Sequence, residues 1–185
     1  MSLRHLAAVA PLVFCLAVAG CDAAHKRDDS PRTDAERDVS SASEWTAGII
    51  DRPKPGAPAA MLVAVRTGIH DGFDRVVFEF DQRVPGFHIE YIDQPVRTCG
   101  SGNVTQMADD GWLEVRMSPA KAHTEAGVPT VAERERAPKL PELSELKMTC
   151  DFEAVMTWVL GVESPNRYRV RESSNPPRIV VEVQH

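Results

Sequence analysis

Two short segments hold histidine and carboxylate close enough in the chain to share a proton or a metal. They are His70-Asp71-Gly72-Phe73-Asp74, with Arg75 beside it, and Ala122-His123-Thr124-Glu125. Imidazole titrates near neutrality and ligates metals, and a neighbouring carboxylate supplies the partner charge. Asp-Gly in a polar stretch is equally turn chemistry, giving a left-handed residue and a local side-chain hydrogen bond. No His-Glu-x-x-His, Gly-x-Ser-x-Gly or P-loop accompanies either segment. Serines, histidines and aspartates are scattered without a triad spacing. The 27 acidic residues single out no glycosidase pair. The expectation is no catalysis, no metal and no cofactor. His70, Asp74, Arg75 and His123 stand as candidate binding residues at turns, because arginine suits carboxylates. The competing reading of each is a satisfied turn or a strand-face ion pair.

The remaining reactive side chains are thiols at Cys15, Cys21, Cys99 and Cys150. From Leu6 to Gly20 the chain carries no charge, behind a short polar start at Arg4-His5. Such a stretch is short of the about 20 residues that a membrane-crossing helix needs, and it reads as the core of a secretory signal over residues 1–20. Val18-Ala19-Gly20-Cys21 resembles the bacterial lipobox: an aliphatic residue, two small residues, then cysteine. That resemblance implies a lipid on the Cys21 thiol, cleavage after Gly20 and a membrane anchor of two or three acyl chains, at about 0.8 kcal/mol per buried CH₂. The product would be an exported, membrane-anchored lipoprotein facing the periplasm or the cell-wall space. Cys99 and Cys150 would then be the cysteines left over. In an oxidising compartment the expectation is a disulfide, worth about 4 kcal/mol for a loop of about 50 residues. A metal site would need further ligands at suitable spacing, and neither cysteine has a Cys-x-x-Cys companion.

Composition narrows the partners. The chain of 185 residues is 43% hydrophobic and 26% charged, with a formal net charge of −6. Loss of Arg4 with the signal would take −6 to −7. Without a run of Lys/Arg, and with aromatics at only 6%, nucleic acid is not an expected partner. Residues 21–58 are rich in Asp, Arg, Ser, Ala and Pro, which predicts a flexible, disordered tether with a reach of about 30–35 Å. Within it Trp45–Ile50 (WTAGII) either docks on the following domain or is a lone aromatic in a tail.

The elements that must position the candidate residues begin near residue 59. Period-two alternation predicts strands over Met61–Arg66, Arg75–Phe80, Phe87–Ile92, Trp112–Met117, Tyr168–Arg171 and Arg178–Val183. Ala154–Leu160 is apolar on both faces apart from Thr157, the pattern of a central, doubly covered strand. Pro141–Lys147 is readable as a short helix or as part of a strand. Residues 118–139 form a long polar connection, either functional or mobile. The economical architecture for residues 59–185 is all-β, a β-sandwich of two small packed sheets or an open barrel.

Asp74–Phe80 (DRVVFEF) echoes Pro177–Val183 (PRIVVEV), each placing Arg, alternating aliphatics and Glu in the same order. Either two half-buried strands share one pattern, or the two belong to related sheets. The second copy, with Asn175 and Pro176 before it, resembles the closing strand of AMIN domains. With Val65–Phe78 and Cys150-Asp151-Phe152-Glu153, the chain from about Val65 to Val183 is similar to the AMIN-like domain of bacterial secreted lipoproteins. The resemblance implies a β-sandwich without a catalytic centre, since AMIN domains accompany cell-wall amidases and secretins and target them to the envelope through peptidoglycan. Two roles follow from it. One is a lipoprotein that binds peptidoglycan, the other a lipoprotein that docks on an envelope protein such as an amidase, secretin or pilus machine.

Overall fold

A computed structural model describes residues 44–93 and 95–185; the lipobox with Cys21, and the tether up to residue 43, lie outside the described residues. The described chain is all-β. Its strands are β1 (Ile50–Arg52), β2 (Ala60–His70), β3 (Phe73–Phe80), β4 (Gly86–Ile92), β5 (Gly111–Ser118) and β6 (Ala120–Lys121). They continue as β7 (Glu135–Arg136), β8 (Leu143–Phe152), β9 (Val155–Val162), β10 (Tyr168–Ser174) and β11 (Pro177–Gln184). One sheet runs β1-β4-β5-β9-β8-β7 and the other β10-β11-β3-β2-β6. Inward residues of both meet in one core, where the rings of Phe78 and Trp158 stand 5.9 Å apart.

β9 occupies the interior of the six-stranded sheet, as its doubly apolar pattern predicts. Met156, Trp158, Leu160 and Val162 face the core. Val159, on the other face, is buried outside that cluster. The connection between β4 and β5 crosses this outer face, tied to β8 by a Cys99–Cys150 disulfide and by the Cys99 N–H donating to the Thr149 carbonyl at 3.0 Å.

Four readings are resolved by the fold. Pro141–Lys147 is not helical: most of it belongs to β8. Bulges at Leu143/Glu145 and Met148/Cys150 each add a residue, so the buried positions fall at Leu143, Leu146 and Thr149. That spacing of three imitates a helix in a segment that is paired throughout. Residues 118–139 are built into the sandwich by short strands and hydrogen bonds. β6 extends β2 in parallel, β7 extends β8, and Thr130 Oγ1 donates to the Leu62 carbonyl at 2.6 Å. The segment therefore bridges the two sheets at one side of the sandwich.

Trp45–Ile50 docks. Thr46 bridges to Tyr168, and β1 adds a strand to the edge of β4. Residues 45–58, assigned by composition to the tether, thus lie on the sandwich, because hydrogen bonding to an open strand edge needs little apolar sequence. Finally, the two echoing strands do not sit in related sheets. They are β3 and β11, neighbours in one sheet.

Candidate functional site

The outward residues of β3 and β11 alternate with the core-facing ones, and antiparallel pairing brings them into rows. Glu182 on β11 stands directly across from Arg75 on β3 and from Arg169 on β10. Its side chain is 0% exposed, covered by guanidinium groups. Arg75 donates from Nε to Oε1 at 2.8 Å, Arg169 from Nε to Oε2, and Arg171 from Nη2 to Oε1. Burial pushes the Glu182 carboxyl up, but the hydrogen bonds from Arg169, Arg75 and Arg171 outweigh it and hold the group below the usual carboxylate range.

A second row lies further along the same two strands. Glu79 Oε2 accepts from Arg178 Nε at 2.8 Å and from Arg66 Nη1 at 2.8 Å. Five guanidiniums thus face two carboxylates. The local excess is three positive charges on a chain of formal net charge −6. Around Glu182 alone, three guanidiniums bring about fifteen N–H donors to the roughly four acceptor sites of one carboxylate.

Aromatic rings border this arginine face. Arg169 lies 4.3 Å from the Trp45 ring centre and 5.3 Å from that of Phe73, while Arg75 lies 5.4 Å from Phe73. Trp45 and Phe73 are 6.0 Å apart, and His70 stacks on Phe73 at 5.0 Å and 12°. The face therefore combines planar cationic forks with ring surfaces. Such a surface grips carboxylates bidentately and lays flat or C–H-rich groups against rings.

The four candidate binding residues fall in three places. His70 and Arg75 are on the arginine face. Asp74 points the other way, into the interior, at 1% exposure. There its Oδ2 accepts the N–H groups of Glu142 at 2.7 Å and Leu143 at 2.9 Å, and Oδ1 lies 3.0 Å from His185 Nε2. It latches the strand that carries Phe73 and Arg75 to the start of β8 in the opposite sheet. His123 belongs to a different knot, where Nδ1 lies 2.9 Å from Asp151 Oδ2. Arg134 Nη2 approaches the same oxygen at 3.1 Å, and the Ala122 N–H donates to Asp151 Oδ1. That knot fastens the 118–139 segment to β8.

Trp45, Arg169, Arg171 and Glu182 were not named as binding residues by sequence. The signal available was alternation, Arg-Val-Arg in β10 and Arg-x-x-x-Glu in β11, but only the register joins these to Arg75. Among the described residues, no group of three His, Cys, Asp or Glu is placed to hold a metal ion.

The fold and this surface define an all-β, two-sheet module of the kind that presents outward sheet faces. The chain belongs to the AMIN-like domain family, whose model matches residues 60–185. That family relates it to the cell envelope. Neither curated proteins nor solved structures returned a match.

Proposed function

We propose that this chain is a cell-envelope lipoprotein, anchored through a lipid on Cys21, whose arginine face binds the carboxylate-bearing polymer of the cell wall without turning it over. The observation that carries this reading is the Glu182 cluster. Three guanidiniums are gathered over one buried carboxylate and bordered by Trp45, Phe73 and His70. Peptidoglycan offers both halves of the complement, carboxylates on its peptides and C–H-rich sugar faces. Arg75 and His70 are the contact residues in this reading, with Arg169 and Arg171 beside them. Asp74 fixes the strand beneath, and His123 lies in the separate Asp151 knot. Family membership supports the envelope setting. The lipobox supports the anchor.

The test is sedimentation of the full-length chain with purified sacculi. The wild type should co-sediment, and Arg169→Ala or Trp45→Ala should reduce the bound fraction several-fold, with His123→Ala unchanged. Long-range repulsion from the chain's negative charge opposes the local attraction, so raising the salt should weaken binding only slightly. Absence of co-sedimentation at low and high salt would assign the face to an envelope protein instead. Release of soluble wall fragments would overturn the non-catalytic reading.

A further inference from the structure

The six-stranded sheet carries a trough on its outer face, on the other side of the sandwich from the arginines. Register places the floor in rows. His88 on β4 stands opposite Arg116 on β5, and Glu90 stands opposite Glu114. Beyond them on β9 follow Thr157, across from Arg116, and Val159, across from Glu114. A cleft of about 630 Å³ opens over His88, Glu90, Glu114 and Arg116 beneath the segment 53–57. A second cleft of about 470 Å³ adjoins it under the Cys99–Cys150 loop. Glu114 and Arg116 line both.

Both walls are held. Lys54, in the Pro53-Lys54-Pro55-Gly56 wall, turns its ammonium away from the trough to Glu172 Oε2 at 2.8 Å and to the Val84 carbonyl at 3.2 Å. The backbone of this wall also lies tight on Gly86, where an added Cβ would meet the Lys54 nitrogen at 2.6 Å. The opposite wall is pinned by the disulfide. A cleft with fixed walls needs little reordering to accept a ligand.

The charges on the floor sort into two sets. His88 lies 3.1 Å from Asp51 Oδ1 through Nδ1 and 3.2 Å from Glu90 Oε1 through Nε2, so these three answer one another. Glu114 and Arg116 are left over. Both line the trough two residues apart on one strand, a backbone rise of about 6.5–7 Å. Among the described residues neither forms an ion pair or a side-chain hydrogen bond. Burial raises the Glu114 carboxyl above its usual range; Arg116 opposes this and Glu90 adds to it.

We propose that this trough binds a ligand with an ammonium and a carboxylate on one short chain, the ammonium seated on Glu114 and the carboxylate on Arg116. That is the chemistry of an amino acid whose side chain carries the ammonium, such as lysine, either free or as the carboxyl-terminal residue of a peptide. The site is separate from the arginine face and does not depend on its function.

The test is calorimetric titration of the full-length chain with 6-aminohexanoate, using hexylamine and hexanoate as single-charge controls. The zwitterion should bind saturably, and each control about tenfold more weakly, for want of one charged partner. Glu114→Gln should bring 6-aminohexanoate down to the level of hexanoate, and Arg116→Gln down to that of hexylamine. Neither variant should lose the fold: Glu114→Gln relieves a burial penalty and should raise the unfolding midpoint slightly, and Arg116→Gln changes an exposed side chain and should leave it nearly unchanged. Affinity for 6-aminohexanoate unchanged by Glu114→Gln, hexylamine binding equal to that of the zwitterion, or no binding by the wild type would overturn the proposal. A competition arm then separates the sources. If a short peptide ending in lysine displaces 6-aminohexanoate in the titration more strongly than free lysine does, the ligand is a peptide end; if free lysine displaces it and the peptide does not, it is a free amino acid.

Discussion

Arg75 and Glu182 face one another across β3 and β11, and the same pairing sets Arg178 opposite Glu79. The two strands carry the same Arg-to-Glu spacing of four residues. Run antiparallel, each strand's arginine therefore meets the other's glutamate. The Asp74–Phe80 and Pro177–Val183 echo is thus a reciprocal ion-pair code for one strand pairing. A slip of one residue by either strand would turn its own arginine and glutamate towards the core and break both pairs.

Glu182 is the centre of that code, and its loss should be costly. Glu182→Gln leaves three part-exposed guanidinium groups without their buried counter-charge, with an expected loss of about 2–3 kcal/mol. Urea unfolding of variant and wild type at neutral pH measures it. Arg171→Gln leaves two of the three pairs in place and should cost less.

Stability should depend on pH in two opposed ways. The folded-state carboxyls of Glu182 and Glu79 are lowered, so their contribution is present above the unfolded glutamate value, about 4.3, and is lost as pH falls through the lower folded values. Glu114, Glu142 and Asp109 are raised by burial first of all, so protonating them as pH falls from 7 relieves a folded-state penalty. The expected profile rises slightly from pH 7 towards 5 and falls steeply below about 4. Thermal unfolding across that range checks it, and Glu114→Gln should reduce the rise, with Glu142 and Asp109 still contributing, while leaving the acid fall.

Asp74 is a buried acceptor for two backbone donors from the opposite sheet. Asp74→Ala strands the N–H groups of Glu142 and Leu143 and should cost about 2–4 kcal/mol. Asp74→Asn keeps one acceptor oxygen and should cost less. A double-mutant comparison with His185→Ala separates the contribution of the imidazole, which is 29% exposed.

The Cys99–Cys150 bridge closes a sequence separation of 51 residues, and Cys99→Ala should lower stability by about 2–5 kcal/mol. Chemical denaturation with and without reductant measures the difference. Because the bridge also holds one wall of the trough, reduction should weaken 6-aminohexanoate binding before the sandwich unfolds.

Lipidation at Cys21 is expected from Val18–Cys21. Mass spectrometry of the mature amino terminus should find cleavage after Gly20 and an acylated cysteine. Cys21→Ser should yield an unmodified chain that no longer partitions with membranes.

What the sequence determined by itself was whatever depends on neighbours along the chain. Alternation at Arg75–Phe80, Trp112–Met117 and Arg178–Val183 marks strands because side chains on a pleated strand change face at every residue. The run Ala154–Leu160, apolar on both faces apart from Thr157, places β9 in the sheet interior for the same reason. The cysteine pairing was legible because the expected export and the cysteine count leave one partner for each remaining thiol. Tertiary structure alone decided the rest. Two bulges in β8 gave it a period of three, which no alternation rule reads as strand. Trp45 joined the domain through an edge whose hydrogen bonds leave no mark in composition. The arginine face and the trough are products of register, since Arg75, Arg169 and Glu182, or Glu90 and Glu114, are far apart in the chain and become neighbours only when backbones pair. Charge counted along the sequence sums to −6. Strand pairing sorts that charge, gathering an excess of arginine on one outer sheet face and leaving a lone glutamate and arginine side by side on the other.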